Sequence, residues 1–146
     1  MKHPYICMSE DNPVYRELLE WAMEEQGIGL DNLIYHESAH EAIEYIEINH
    51  ESELRQCFFL IDISFDNSDN DGWDIVDSLQ KRGYGPIAML TSSESPKDQE
   101  KALSLGAHFI LKDMGDGLDI SVFTNRMALF LKHIEDAGAK PKAFTD

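Results

Sequence analysis

Asp62 closes the most apolar run in the chain, Cys57-Phe58-Phe59-Leu60-Ile61. An acid pair, Glu10-Asp11, follows a second run, Tyr5-Ile6-Cys7-Met8. Thr91 follows a third, Ile87-Ala88-Met89-Leu90, and Lys112 follows a fourth, His108-Phe109-Ile110-Leu111. Three carboxylates, a hydroxyl and an ammonium brought to one place can hold a divalent cation and receive a phosphoryl group. Nothing local in the sequence joins them, so the elements that carry them must do it.

Short apolar runs bounded by turn signals and separated by helical stretches read as buried parallel strands. In an open parallel sheet the ligand site lies at the carboxyl ends of the strands, which is where all five residues fall. The connecting segments read as helices. Asn12-Pro13 caps and opens the first, with Val14, Leu18, Ala22 and Met23 on one face and Gly27 at its end. Leu33-Ile34-Tyr35 is a short second strand. Ser38 with Glu41 forms a capping box for a helix through Ala42, Ile43 and Ile46. A polar loop, Asp66 to Asp71, leads to Gly72 and a helix carrying Trp73, Ile75, Val76 and Leu79. Ser95-Pro96 opens a fourth helix ending at Gly106. The last helix is expected from Gly117 or Leu118 to about Ala137, with Ile120, Phe123, Met127, Phe130 and Ile134 facing the sheet. Five βα units result, with helices on both faces of a five-stranded parallel sheet: a doubly wound α/β fold.

The chain of 146 residues suits one domain and leaves no length for a second. A formal net charge of −16, with no Lys/Arg patch, disfavours direct nucleic-acid binding and anionic membrane surfaces. No stretch approaches the ~20 apolar residues of a membrane span. The two cysteines, Cys7 and Cys57, fall inside strands and read as buried thiols of a reducing compartment, so the expected location is cytoplasmic.

The ordered set Ser9-Glu10-Asp11-Asn12-Pro13, Leu60-Ile61-Asp62, Asp71-Gly72, Met89-Leu90-Thr91-Ser92 and Gly106-Ala107 leading to Leu111-Lys112 resembles the response-regulator receiver domain of two-component signalling. The resemblance implies a flavodoxin-like strand order 2-1-3-4-5. It places a receiver unit over residues 1–139 and a short, frayed tail at 140–146. By the same resemblance, Asp62 is the phosphoacceptor nucleophile. Mg2+, with Mn2+ as a substitute, is held by Asp11, Asp62 and the backbone carbonyl of Ser64, and by Glu10 through water. Thr91 and Lys112 bind phosphoryl oxygens, and Phe109 is the switch aromatic. The implied donor is a histidine kinase or histidine phosphotransfer protein. The output is contact with a downstream protein, by a monomer or a phosphorylation-dependent dimer, without conventional enzyme turnover. Val122 and Leu129 lie off the apolar stripe of the last helix and could contribute to a partner face. The chain departs from the family pattern in a longer loop after Asp62, in Phe65-Asp66-Asn67-Ser68 without a Met-Pro element, and in Asp113 after Lys112, where no cis peptide is expected. Ser64 and Ser93 occupy positions that tune dephosphorylation in the family.

Other motifs compete less well. His36-Glu37-Ser38-Ala39-His40 spells a zinc-protease string, but Ser38 as a helix cap would leave the histidines on different elements. Asn67, Asp69, Asp71 and Gly72 imitate the start of a calcium loop, whose twelfth position here is Ser78 rather than Glu. An aspartyl phosphatase would need a second Asp at Ser64. The remaining alternative is a receiver-like interaction module that works without phosphorylation.

Overall fold

The computed structural model describes residues 5–65, 70–92, 96–112, 120–135 and 140–145. The apolar runs form strands β1 (Tyr5–Ser9), β2 (Leu33–His36), β3 (Cys57–Asp62), β4 (Ile87–Thr91) and β5 (His108–Leu111). Between and after them lie helices α1 (Pro13–Glu25), α2 (Ala39–Ile48), α3 (Glu51–Leu54), α4 (Gly72–Lys81), α5 (Pro96–Ser104) and α6 (Ile120–His133). All pairings are parallel, in the order β2-β1-β3-β4-β5 and then a sixth strand, β6 (Ala143–Phe144). The doubly wound order read from the sequence therefore holds, with one strand more than expected.

β3, β4 and β5 are buried on both faces, which is why they read as continuous apolar runs, while β2 at the edge is half-buried. Alternate residues serve opposite cores. Phe58 and Leu60 face α1 and α6, packing with Leu19, Met23, Phe123 and Phe130. Phe59 and Ile61 face the other way, toward Ala42, Ile46, Ile75 and Leu79. The caps are those the sequence announced. Asn12 Oδ1 accepts from the Val14 N–H at 3.1 Å and Ser38 Oγ from the Glu41 N–H at 3.1 Å. Two expected core positions differ. Val14 is 46 % exposed and Ile120 39 %, each in the first described turn of its helix. The short helix α3, which buries Leu54, was not anticipated. The loop residues 66–69, Ser93, Asp113 and the beginning and end expected for the last helix, Gly117 or Leu118 and Ala137, lie outside the described residues.

The tail is not frayed over 140–145, and this corrects the expectation for it. The Phe109 N–H donates to the Lys142 carbonyl at 3.0 Å, and the Lys142 N–H donates to His108 Nδ1 at 3.1 Å. Phe144 is buried edge-on against Phe130, with ring centroids 5.7 Å apart. The buried Arg126 guanidinium donates both to the Leu111 carbonyl (2.8 Å) and to the Thr145 carbonyl (3.0 Å). Position near a terminus argues for fraying only where nothing ties the backbone down. Here one aromatic anchor and three hydrogen bonds, with Phe109, His108 and Arg126, do so, while Arg126 is itself tied to the Leu111 carbonyl.

His108 ties this edge to pH. Burial, reinforced by His133, lowers its pKa from 6.5 to about 4. Between those values the unfolded chain binds a proton that the folded chain refuses, so stability falls as pH drops from about 6.5 to about 4. The expected loss is about 2–3 kcal/mol. Denaturant melts of wild type and His108→Gln across this window should show a shallower acid slope in the variant. Equal slopes would remove His108 from the account.

Candidate functional site

Chain reversal puts the site where it is. From β1 the chain crosses to β2 on one side and then to β3 on the other, so β1 and β3 are neighbours whose following loops diverge. Such a switch point leaves a crevice beyond the carboxyl ends of the strands. Glu10-Asp11 leaves β1 into it, and Asp62 ends β3. Backbone bonds hold the rim. The Glu10 N–H donates to the His36 carbonyl (3.0 Å), Ile63 N–H to the Leu90 carbonyl (3.0 Å), and Lys112 N–H to the Thr91 carbonyl (2.7 Å).

Glu10, Asp11 and Asp62 each present a carboxylate oxygen within 4.8 Å of the others. Glu10, Asp62, Thr91 and Lys112 are buried, and Asp11 is half-buried. The Lys112 ammonium donates to Glu10 Oε1 at 2.6 Å and lies 3.3 Å from Asp62 Oδ1. The other Glu10 oxygen accepts from the Asn12 N–H at 3.2 Å. A cavity of about 300 Å³ opens on the cluster, lined by Asp11, Tyr15, Asp62, Ser64, Thr91 and Lys112. The structure thus brings together all the residues the sequence nominated except Phe109, which is buried beside a separate cavity of about 270 Å³ with Gln99, Leu111 and Thr145.

The electrostatics explain why a cation fits. Burial, and then the Asp62 charge, push the Glu10 carboxyl up to about 8 against the pull of Lys112. Burial likewise raises Asp62, again opposed by Lys112. Burial alone would lower Lys112, but Asp62 and Glu10 more than offset it and hold its ammonium above the usual value. Two buried carboxylates and a half-buried third against one ammonium leave excess negative charge that only protons or a cation can relieve. An oxygen-only donor set suits Mg2+ or Mn2+. Both Glu10 oxygens are engaged and Glu10 does not line the cavity, whereas Asp11 and Asp62 do and are the carboxylates placed to meet such an ion directly.

Lys112→Met should leave this cluster without its counter-charge. Breaking a buried pair from one side costs about 3 kcal/mol. The Glu10 carboxyl should titrate above the value it has beside Lys112, which carboxyl-carbon NMR can follow. An unmoved Glu10 titration would mean that the 2.6 Å contact does not persist in solution.

Tyr15 was not singled out in the sequence, and Asn12 only as a helix cap, although a signal for Tyr15 existed. Side chains in the first turn of a helix point back toward its N-terminus, so Tyr15, four residues after Asp11, leans over the site. Gly72, expected at the junction of the polar loop and the helix, has a further task. A Cβ there would lie 2.1 Å from the Asp62 carbonyl oxygen, and its N–H donates to the Ile63 carbonyl at 2.8 Å. The imitation motifs resolve structurally. His36 lies in β2 with Nδ1 3.7 Å from Cys7 Sγ, while His40 sits on α2 beside Glu44. Asp71 caps α4 in a capping box with Asp74. Asn67 and Asp69 lie outside the described residues.

Residues 6–118 match the response regulator receiver domain model, and the chain belongs to that family. Among solved structures, a response regulator receiver domain from Rhodospirillum rubrum is 17 % identical with a TM-score of 0.69, covering 94 % of this chain and 99 % of its own. The phosphorylated cyanobacterial phytochrome response regulator RcpA is 15 % identical with a TM-score of 0.72, covering 95 % and 99 %. The Mn2+-bound form of response regulator Rcp1 is 16 % identical with a TM-score of 0.70, covering 94 % and 98 %. At these identities the likeness is one of fold. No curated protein matches by sequence. Receiver domains are signalling modules that bind a divalent metal and interact with histidine kinases or phosphotransfer proteins. No described helix is long and apolar enough to cross a membrane.

Proposed function

We propose that Asp62 accepts a phosphoryl group from a phosphohistidine of a kinase or phosphotransfer protein and that the chain passes the signal on by protein contact. The carrying observation is the convergence of Asp11, Asp62, Thr91 and Lys112 on one cavity large enough for a phosphoryl group, with the buried Glu10 paired to Lys112 and clustered with Asp11 and Asp62. A carboxylate oxygen of Asp62 attacks phosphorus, the P–N bond to the donor imidazole breaks, and an acyl phosphate forms. Charge on the moving phosphoryl oxygens is met by donors that line the cavity, since positioning and electrostatics supply most of the catalysis in such transfers. Lys112 offers a point charge and Thr91 a hydroxyl. Asp11 and Asp62, with the Ser64 backbone carbonyl, would hold Mg2+ or Mn2+, and Glu10 would act through water. Held there, the ion would supply charge neutralisation for the acidic cluster and the incoming phosphoryl oxygens. Phe109 serves as the switch aromatic, packed one residue pair away from the strand end that carries Lys112.

The same proposal makes residues 1–139 a cytoplasmic receiver, monomeric or dimerising on phosphorylation, without direct nucleic-acid or membrane contact. The segment 140–145, as an added strand, belongs with that unit. The test is intact-mass analysis after incubation with acetyl phosphate, with Mg2+ and with a chelator, backed by beryllofluoride binding. One Mg2+-dependent phosphate is expected. Failure of both probes would favour a module that binds partners without phosphorylation.

A further inference from the structure

Lys112 has a third partner that the reaction as described does not use. Its ammonium sits over the Tyr15 ring, 4.3 Å from the centroid, in addition to its contacts with Glu10 and Asp62. The ring is fixed from behind, edge-on to the buried Phe123 at 5.2 Å, and it lines the cavity that Asp62 opens into. An ammonium carries three N–H donors. Two directions meet carboxylates 2.6 and 3.3 Å away, and the aromatic face covers another.

We propose that Tyr15 is a positioning residue that holds the Lys112 ammonium at the mouth of the site and lets it travel. This rests on the phosphoacceptor reading. Lys112 is closer to Glu10 than to Asp62, so to serve a phosphoryl oxygen on Asp62 it must shift toward the cavity. A fixed hydrogen-bond acceptor in place of the ring would hold it back, and water would compete for its charge. Attraction to an aromatic face is electrostatic and changes slowly with position, so the ammonium keeps it throughout the shift. The ring also keeps water from that side of the ammonium, which strengthens its pull on the phosphoryl oxygens.

The test compares Tyr15→Phe, which keeps the face, with Tyr15→Leu and Tyr15→Met, which keep bulk but not the face. Each is made in the full chain and checked for an unchanged melting transition; Met stands in should Leu not fold. The Lys112 ε-methylene proton shifts, assigned against Lys112→Arg, report the ring directly. They should be displaced upfield in wild type and in Tyr15→Phe and return toward the ordinary lysine value in the aliphatic variants. Beryllofluoride affinity and the acetyl phosphate rate should fall about tenfold in the aliphatic variants and stay within about threefold in Tyr15→Phe. Aliphatic variants that match Tyr15→Phe in affinity and rate would overturn the proposal, reducing the ring to a wall. A Tyr15→Phe as impaired as Tyr15→Leu would overturn it too, shifting the role to the hydroxyl. Should wild type take neither beryllofluoride nor phosphate, the phosphoacceptor reading falls, while the Lys112 shifts still decide whether the ring holds the ammonium.

Discussion

Asp62→Asn is expected to lose phosphorylation by at least about a hundredfold, the scale on which removing a covalent nucleophile acts. The amide keeps the shape of the carboxyl but cannot form an acyl phosphate, and it removes one of the charges that hold a cation. Glu10 and Asp11 remain nearby, yet Glu10 is fully buried with both oxygens bonded, which leaves it poorly placed to substitute. The fold should survive. Asp62 is a raised, buried carboxylate that shares its cluster with two others, so neutralising it relieves repulsion. Without added metal the variant should melt no lower than wild type. Phosphate retained at normal stoichiometry would show that Asp62 is not the acceptor, and a collapsed fold would show that its charge is structural.

Gly72→Ala is expected to destabilise the protein by about 3 kcal/mol, in the range of overpacking a tight site. Helix propensity alone argues the opposite, since alanine is favoured over glycine within a helix by about 1 kcal/mol. Geometry decides the sign. The added Cβ would meet the Asp62 carbonyl oxygen at 2.1 Å and the Ile63 Cα at 2.9 Å, both backbone atoms that cannot swing aside. Relief requires moving the start of α4 or the end of β3, and the second of these carries the phosphoacceptor. Phosphorylation should therefore fall together with the denaturation midpoint. Gly29→Ala is the control, because a Cβ there meets nothing within 4 Å. Its effect should stay within about 0.5 kcal/mol. Equal behaviour of the two variants would mean that the close approach relaxes without cost.

The strands were legible because burial on both faces leaves a strand almost purely apolar, as in Cys57 to Ile61. The helix starts were legible because capping is local: Asn12 and Ser38 each bond an N–H two or three residues away. Asp62, Glu10, Asp11, Thr91 and Lys112 could be named because each ends an apolar run, and a parallel sheet has only one carboxyl edge. β6 was not legible. Its two residues carry no periodic pattern, and its place depends on His108, Arg126 and Phe130, which contribute from distant parts of the chain.

What the sequence determined by itself is the set of strands, their parallel order through the family likeness, and the chemical types gathered at one edge. These follow from local burial and capping, whose range is a few residues. The tertiary structure decided who touches whom. It gave Lys112 to Glu10 at 2.6 Å rather than first to Asp62, engaged both Glu10 oxygens, laid the Tyr15 ring beside the ammonium, and made Gly72 a spacer for the Asp62 backbone. Each of these is a contact of a few ångströms between elements that meet only when the sheet is assembled and its helices are packed. Such distances belong to the assembled fold and are not written in any one stretch of chain.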